Sequence, residues 1–175
     1  MPTYIALLRG INVGGNRKIP MSDLRALFDE LGHTDVRTYI QSGNVVFTAK
    51  AGPPARVRAA IEKAIAGAFG FDVTVLLRTP AELATAVKHN PFGAAAYVTF
   101  LETPADAKKV KAIDPAPYAP DEFAVHGREV FLHCPNGYGT TKLNNGLFER
   151  RLAARATTRN WKTVTTLLEL AKTKT

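Results

Sequence analysis

The sequence predicts an α+β protein of two related subdomains, the first ferredoxin-like and the second ending in helices. Residues 1–78 alternate between strand and helix patterns in the order β-α-β-β-α-β. The first four elements of this order recur after residue 78 and are followed by C-terminal helices. The expected domain bounds are therefore 1–78 and 79–175, in one compact chain without a low-complexity linker.

The elements of the first subdomain follow from the spacing of apolar residues. Residues 3–8 form a short apolar strand, and the apolar residues of 24–31 repeat at helical spacing before Gly32 ends the helix. Around the turn sequence QSGN, two β-rich runs indicate a hairpin, because Gly and Asn accept positive φ. The strands of this hairpin, the second helix and the fourth strand are predicted at 36–40, 44–48, 57–69 and 73–77.

The second subdomain begins with a capping box at 79–82, which opens a helix to about residue 88. A similar device at 103–106 opens a predicted helix over 104–112, two residues after a strand at 96–101. The remaining elements are predicted as two strands and two helices, at 122–126, 129–133, 146–155 and 159–172.

Composition and charge limit the classes of function that the chain can have. The only cysteine, Cys134, excludes an intramolecular disulfide, and the N-terminus has neither a signal-peptide pattern nor a membrane span, so a cytoplasmic location is expected. The net charge is +8, and most of the excess lies in residues 142–175. A basic cluster of this kind favours anionic partners such as phosphorylated metabolites or nucleic acid, although a solvated helix face explains it equally well.

The connection from the first strand to the first helix, residues 9–19, is unusually long. Connections of this kind usually run roughly 2–6 residues, and longer ones are often functional. In a split βαβ unit this loop and the hairpin tip at 41–44 lie at the same end of the sheet. Polar residues of the two segments are then expected to face one ligand-binding rim: Arg9, Asn12, Asn16, Gln41, Ser42 and Asn44.

The glycines of this loop do not form a standard nucleotide-binding motif. Gly10 and Gly15 have the Walker A spacing, but Asn16 and Arg17 stand where Lys and Ser/Thr are required. Two interpretations stay open: a long turn, or a Gly-rich loop whose backbone N–H groups bind an anion.

Two C-terminal segments add candidate ligand-binding residues. In GTTKL, Lys142 can hold a phosphate or carboxylate. In ATTRNWKTV, Thr157 or Thr158 is expected to cap a helix whose N-terminus presents Arg159 and Asn160 to an anion. The histidines lack metal-binding spacing, so no metal site is predicted, and neither a cofactor nor a catalytic residue is identified.

Several motifs together resemble one bacterial family, catalogued as domain of unknown function 1697. They occur in the expected order nearly from end to end: LLRGINVGG, RTYIQSGNVVF, NPF, GTTKL and ATTRNWKTV. The resemblance implies a two-subdomain α+β architecture and supplies no reaction.

The leading functional hypothesis is binding of an anionic, phosphate-bearing small ligand by loop 9–19 and hairpin 41–44, with Lys142, Arg159 and Asn160 as further candidates. One alternative is sequence-nonspecific nucleic-acid binding by the basic C-terminal region. Another is an enzyme that acts on a phosphorylated metabolite. The sequence does not determine the oligomeric state, and it predicts no membrane partner.

Overall fold

A computed structural model describes residues 1–173 of the chain. Its strands are β1 Thr3–Leu8, β2 Thr34–Thr38, β3 Asn44–Thr48, β4 Val75–Arg78, β5 Tyr97–Leu101, β6 Glu122–His126, β7 Glu129–His133 and β8 Ala156–Asn160. Its α-helices are α1 Met21–Glu30, α2 Pro54–Phe69, α3 Pro80–His89, α4 Ala107–Lys111, α5 Asn145–Leu152 and α6 Trp161–Lys172. Short 3-10 helices occupy Gly93–Ala95, Ala116–Tyr118 and Tyr138–Thr140.

The chain divides into two compact units. The first contains Met1–Leu83 together with residues 166–173, and the second contains Ala84–Thr165. Helix α6 therefore begins in the second unit and ends in the first. Within the first unit, Arg37 Nη1 donates a hydrogen bond over 3.2 Å to Oγ1 of Thr173, the residue that follows α6.

The first unit has the ferredoxin-like topology that the sequence predicts. Its four-stranded sheet has the order β2-β3-β1-β4, and every neighbouring pair is antiparallel. Helices α1 and α2 bury apolar side chains such as Phe28 and Ile61 against sheet residues such as Phe47. Burying a side chain of this size contributes about 1.5–3 kcal/mol, so this apolar layer is the main source of the unit's stability.

The second unit repeats the same topology in full, with the sheet order β6-β7-β5-β8. The predicted α+β class is confirmed, but the prediction of a helix beginning at 159 is wrong for Arg159 and Asn160. Residues 156–160 form β8, which pairs antiparallel with β5 from Tyr97↔Asn160 to Leu101↔Ala156. The β-branched Thr pair suits a strand, and pairing with a distant segment outweighs its local capping preference.

The predicted helix starts of the second half differ in accuracy. The capping box at Thr79 is confirmed, since Glu82 N–H donates to Thr79 Oγ1 over 3.1 Å and Thr79 N–H donates to Glu82 Oε1 over 3.3 Å. The helix expected over 104–112 is shorter and spans 107–111. Asp106 caps it by accepting a hydrogen bond from Lys108 N–H over 2.9 Å.

No helix among residues 1–173 is long and apolar enough to cross a membrane.

A buried histidine makes the stability of the first unit depend on pH. His33 is buried beside Phe47, with 4.8 Å between ring centroids, and its Nδ1 accepts a hydrogen bond from Lys50 N–H over 3.1 Å. Burial, and then the charge of Lys50, lowers the pKa of His33 below its usual value. The folded protein therefore holds a neutral imidazole, whereas the unfolded chain takes up a proton at an ordinary pKa of about 6.5.

We expect the free energy of unfolding to fall as the pH drops below about 6.5, because the unfolded state then binds more protons than the folded state. Above that pH this contribution is fully present. In His33→Asn, an amide oxygen replaces Nδ1 as acceptor without a titrating ring, so the fall should be smaller. Urea unfolding at pH 7.5 and pH 5 measures the difference. Equal pH dependence in the two proteins would contradict the assignment.

Candidate functional site

The long loop after β1 contains a miniature β-hairpin. Asn12 N–H donates to Arg17 O over 3.1 Å, and Asn16 N–H donates to Val13 O over 3.0 Å. Its tip residues, Gly14 and Gly15, have φ of 59° and 77°. Two successive positive φ values are the signature of a type I′ turn, which is the preferred two-residue hairpin connection. We call residues 12–17 the finger.

The side chain of Asn12 fastens the finger to both neighbouring segments. Its Nδ2 donates to Ile19 O over 3.0 Å and to Gln41 O over 2.7 Å. Its Oδ1 accepts from Ile19 N–H over 2.8 Å. Asn12 itself has φ of 55°, a left-handed conformation that Asn tolerates better than most residues. Asn12 therefore closes the base of the finger and ties it to the 40–43 turn.

The turn between β2 and β3 is held from within by Asn44. This residue is fully buried, and its Nδ2 donates to Tyr39 O and to Ser42 Oγ, each over 3.0 Å. The turn also contacts β1, because Leu8 N–H donates to Gly43 O over 2.9 Å. Asn44, predicted as a ligand-binding residue, thus stabilises the turn in this structure.

A third segment, between α2 and β4, lies beside the same loop. Arg9 N–H donates to Thr74 O over 2.9 Å. The Arg17 guanidinium lies over the Phe71 ring, 5.4 Å from its centroid, and donates a hydrogen bond to Asp72 O. Residues 9–20, 40–43 and 71–74 therefore meet at one end of the first sheet. The expectation that the loop and the hairpin tip share a sheet end is confirmed by these contacts.

The exposed side chains at this end differ partly from those expected. Among the predicted residues, Asn16 and Gln41 are exposed, whereas Arg9, Asn12 and Ser42 are half-buried. Sequence reasoning missed further exposed side chains. We define the rim as Val13, Asn16, Lys18, Ile40 and Gln41. The sequence assigns Ile40 to a strand at 36–40, but β2 ends at Thr38, and this shift moves Ile40 into the turn. A large apolar residue in a turn is the signal that could have found it.

The predicted residues of the second unit have separate surroundings. Lys142 is exposed between Thr141, which donates to Asp121 Oδ2 over 2.6 Å, and the buried Leu143. Asn160 is exposed, and its Oδ1 accepts from Thr163 N–H over 2.8 Å, which caps α6. The predicted helix N-terminus is thus present, two residues later than expected.

Arg159 is buried on β8 and does not lie at a helix N-terminus. Its Nη1 donates to Thr157 Oγ1 over 2.8 Å and to Thr158 O over 2.9 Å. Burial lowers the pKa of Arg159 to about 10, and the nearby Tyr138 opposes this shift slightly. The guanidinium is still charged at neutral pH, but its contacts here are made inside the protein.

The segment before α5 is joined to β8 through hydroxyl groups. Tyr138 Oη donates to Thr158 Oγ1 over 3.1 Å, and Thr158 Oγ1 donates to Asn145 Oδ1 over 2.5 Å. The Tyr138 ring stacks on Tyr97, with 5.1 Å between centroids. Burial raises the pKa of the Tyr138 hydroxyl, so Tyr138 remains a neutral hydrogen-bond donor. These contacts pack the partly buried Tyr138 against the core of the second unit.

Comparisons with known proteins support the fold and assign no activity. The family described as "Protein of unknown function (DUF1697)" matches residues 1–131. Among solved structures, the chain is similar to the conserved bacterial protein SP0830 from Streptococcus pneumoniae, with a TM-score of 0.71 and 23% identity. That similarity covers 97% of this chain and 98% of the other. No curated protein matches the sequence.

Proposed function

We propose that this chain, which belongs to the DUF1697 family of proteins of unknown function, binds a phosphate-bearing small anion at the rim of its first unit. The observation that supports this most is the Asn12 clasp, which holds the finger against the 40–43 turn with a 2.7 Å bond to Gln41 O. A loop fastened in this way presents its exposed side chains in a fixed arrangement. Preorganisation of this kind lowers the entropy lost on binding.

The charge around the rim favours an anion. Residues 9–20 contain Arg9, Arg17 and Lys18 and no acidic residue, and residues 38–50 contain no acidic residue either. The N-terminus of α1 lies at this end of the sheet, and Pro20 supplies no side-chain cap for it. Asp23 in the first turn of α1 and the exposed Asp72 of segment 71–74 offset part of this positive charge.

The rim residues have distinct roles in the proposal. Lys18 supplies the cation, because its side chain is exposed and it follows the finger directly in the sequence. Asn16 and Gln41 supply amide donors on the two joined segments. Arg17 stiffens the base of the finger through its contacts with Phe71 and Asp72. Asn12 and Asn44 hold the scaffold, and Arg9 and Ser42 stay candidate contacts that are half-buried without a ligand.

A second candidate function has its own observation. Helices α4 and α5 contact each other in the second unit, and both carry exposed basic side chains. These are Lys108, Lys109, Lys111, Arg150 and Arg151. Together with Lys142 they would serve sequence-nonspecific nucleic-acid binding, whose affinity falls with salt at a log–log slope of about −0.9 per duplex phosphate contacted. A slope near zero in a fluorescence titration would dismiss this alternative.

An enzyme acting on a phosphorylated metabolite would use the same rim as a substrate clamp. A phosphatase and transferase screen tests this possibility. Turnover lost in Lys18→Ala while the fold is retained would favour an enzyme over a pure binding protein.

We expect a thermal-shift screen with inorganic pyrophosphate, sugar phosphates, nucleotides and short oligonucleotides to find a stabilising small anion. An anion at a free concentration 100 times its dissociation constant adds about 2.7 kcal/mol to the free energy of unfolding. Lys18→Ala should weaken the affinity for the anion about tenfold, since a charge-assisted hydrogen bond contributes about 1.5–3 kcal/mol. Lys63→Ala, which removes an exposed lysine from the middle of α2, is the matched control. Equal weakening by both variants would show that only net charge matters and would reject the rim.

A further inference from the structure

Two exposed aliphatic side chains stand out on the rim. Val13 is 64% exposed and Ile40 is 49% exposed, and Met1 is the other large apolar side chain with comparable exposure within residues 1–173. Exposed aliphatic residues are ordinary when they are scattered singly. These two lie on segments that are joined, because their sequence neighbours Asn12 and Gln41 are linked by the 2.7 Å bond of the clasp.

The backbone of Ile40 is strained. Its φ of 49° places a β-branched residue in the left-handed region. For an L-residue this conformation costs roughly 1–2 kcal/mol, and for a β-branched residue it is a genuine outlier. Within residues 1–173, the other non-glycine residues with positive φ are Asn12, Arg17, Asp35 and Ala153. None of them is β-branched, and the short polar side chains of Asn12 and Asp35 reduce the penalty further.

The fold does not require isoleucine at this position. Asn or Gly would adopt the same φ at lower cost, and the side chain of Ile40 is only half covered by the protein. Strained residues persist only where the surrounding structure holds them in place, and they cluster at ligand-binding and active sites. Ile40 therefore points to a contact with something outside the chain.

We infer that Val13 and Ile40 form an apolar platform for the base of a nucleotide, whose phosphates are bound by Lys18. This inference rests on the proposed function and names the ligand class for the same rim. A nucleotide combines a flat apolar face, a polar base edge and phosphates. The rim offers the same combination in its aliphatic pair, its amides Asn16 and Gln41, and its cation.

Other anionic ligands match the rim less well. Inorganic phosphates and sugar phosphates have no flat apolar face that would use Val13 and Ile40. A membrane surface would require a broader apolar area than two side chains beside a polar amide pair. Exposed amide side chains are suited to base edges, because an amide can donate to and accept from an adenine at once.

The test compares ligands with equal phosphate content. Calorimetric titration of the full chain with ATP and with inorganic tripolyphosphate should show ATP binding about tenfold tighter, because packing the base on the two aliphatic side chains removes apolar surface from water. In Ile40→Asn this preference should disappear while tripolyphosphate affinity is retained. Because Asn tolerates positive φ, the same variant should melt a few degrees higher than the native protein.

Val13→Ser provides a second variant outside the strained turn. It should also reduce the preference for ATP, without the rise in melting temperature. Lys18→Ala should weaken both ligands equally. This pattern separates the base contact from the phosphate contact and from effects on folding.

Three other outcomes would each reject the base platform, the proposed anion site or the choice of a nucleotide as ligand. Equal affinity for ATP and tripolyphosphate in the native protein would reject the base platform and leave the proposed anion site standing. No binding of either ligand would reject the proposed function and, with it, this inference. Binding to anionic phospholipid vesicles that depends on Ile40, without a preference for ATP, would reject the nucleotide and assign the two side chains to a membrane contact.

Discussion

Replacing Gly43 with alanine is expected to lower the free energy of unfolding by about 3–5 kcal/mol, because the added methyl group would clash with buried side chains at a left-handed backbone position. A Cβ at this position would lie 2.8 Å from Leu8 Cβ and 2.8 Å from Ile11 Cδ1. Leu8 and Ile11 are themselves buried, so neither can move aside without disturbing the core. The φ of 89° adds backbone strain for any residue with a Cβ.

Gly14→Ala is the matched control for this substitution. Gly14 has φ of 59°, but a methyl group added there, at the exposed tip of the finger, would meet no atom within 4 Å beyond its two chain neighbours. Only the backbone strain applies there, and we expect a loss of about 1–2 kcal/mol. Urea unfolding of both variants measures the difference. Similar losses would mean that the turn moves freely away from β1, contrary to the close packing of Gly43 against Leu8.

Asn12→Ala is expected to destabilise the protein by about 2–4 kcal/mol, because it removes the clasp and places a Cβ-only side chain at positive φ. The fully buried Ile19 loses both partners that Asn12 provides, one for its N–H and one for its carbonyl oxygen. The third hydrogen bond of the Asn12 side chain, the one to Gln41 O, is also lost. The variant should also bind anions weakly, since the finger and the turn are no longer held together.

Asn12→Gly separates the two causes. Glycine accepts the left-handed conformation, so this variant loses the hydrogen bonds alone and should be less destabilised than Asn12→Ala by about 1 kcal/mol. Hydrogen exchange of the Ile19 amide offers a local measurement and should accelerate in both variants. An unchanged exchange rate at Ile19 would show that Asn12 does not close the loop.

The fold of the first unit could be predicted because its signals are local. The helical spacing of Leu24, Leu27 and Phe28, and the turn sequence around Gly43, each specify one element independently of distant contacts. The topology then places loop 9–19 and turn 41–44 at one end of the sheet. The finger could not be predicted with equal clarity. It depends on the φ angles of Gly14 and Gly15, and the flanking residues lack strand-like alternation.

The strand β8 could not be predicted, because the contact that specifies it is not local. Thr157 and Thr158 are compatible both with a helix cap and with a strand, and pairing with β5 decides between them. That partner lies far away in the sequence, so no local pattern reveals it. The same limit applies to Arg159, which the sequence places at an exposed helix end and the structure buries in the strand. The site residues missed at the rim, Val13, Lys18 and Ile40, depend on exposure, which only the folded chain defines.

Residues 166–173 belong to the first unit although they are synthesised after the second, which has a consequence for folding during translation. All of residues 84–165 are synthesised before the last turns of α6. The unit translated first is therefore the one completed last, when α6 brings Thr173 to Arg37. A nascent chain that ends before Thr166 contains the whole second unit, yet lacks a segment of the first. Once an unstructured linker carries such a chain clear of the ribosome, a protease should digest the first unit more readily than the second.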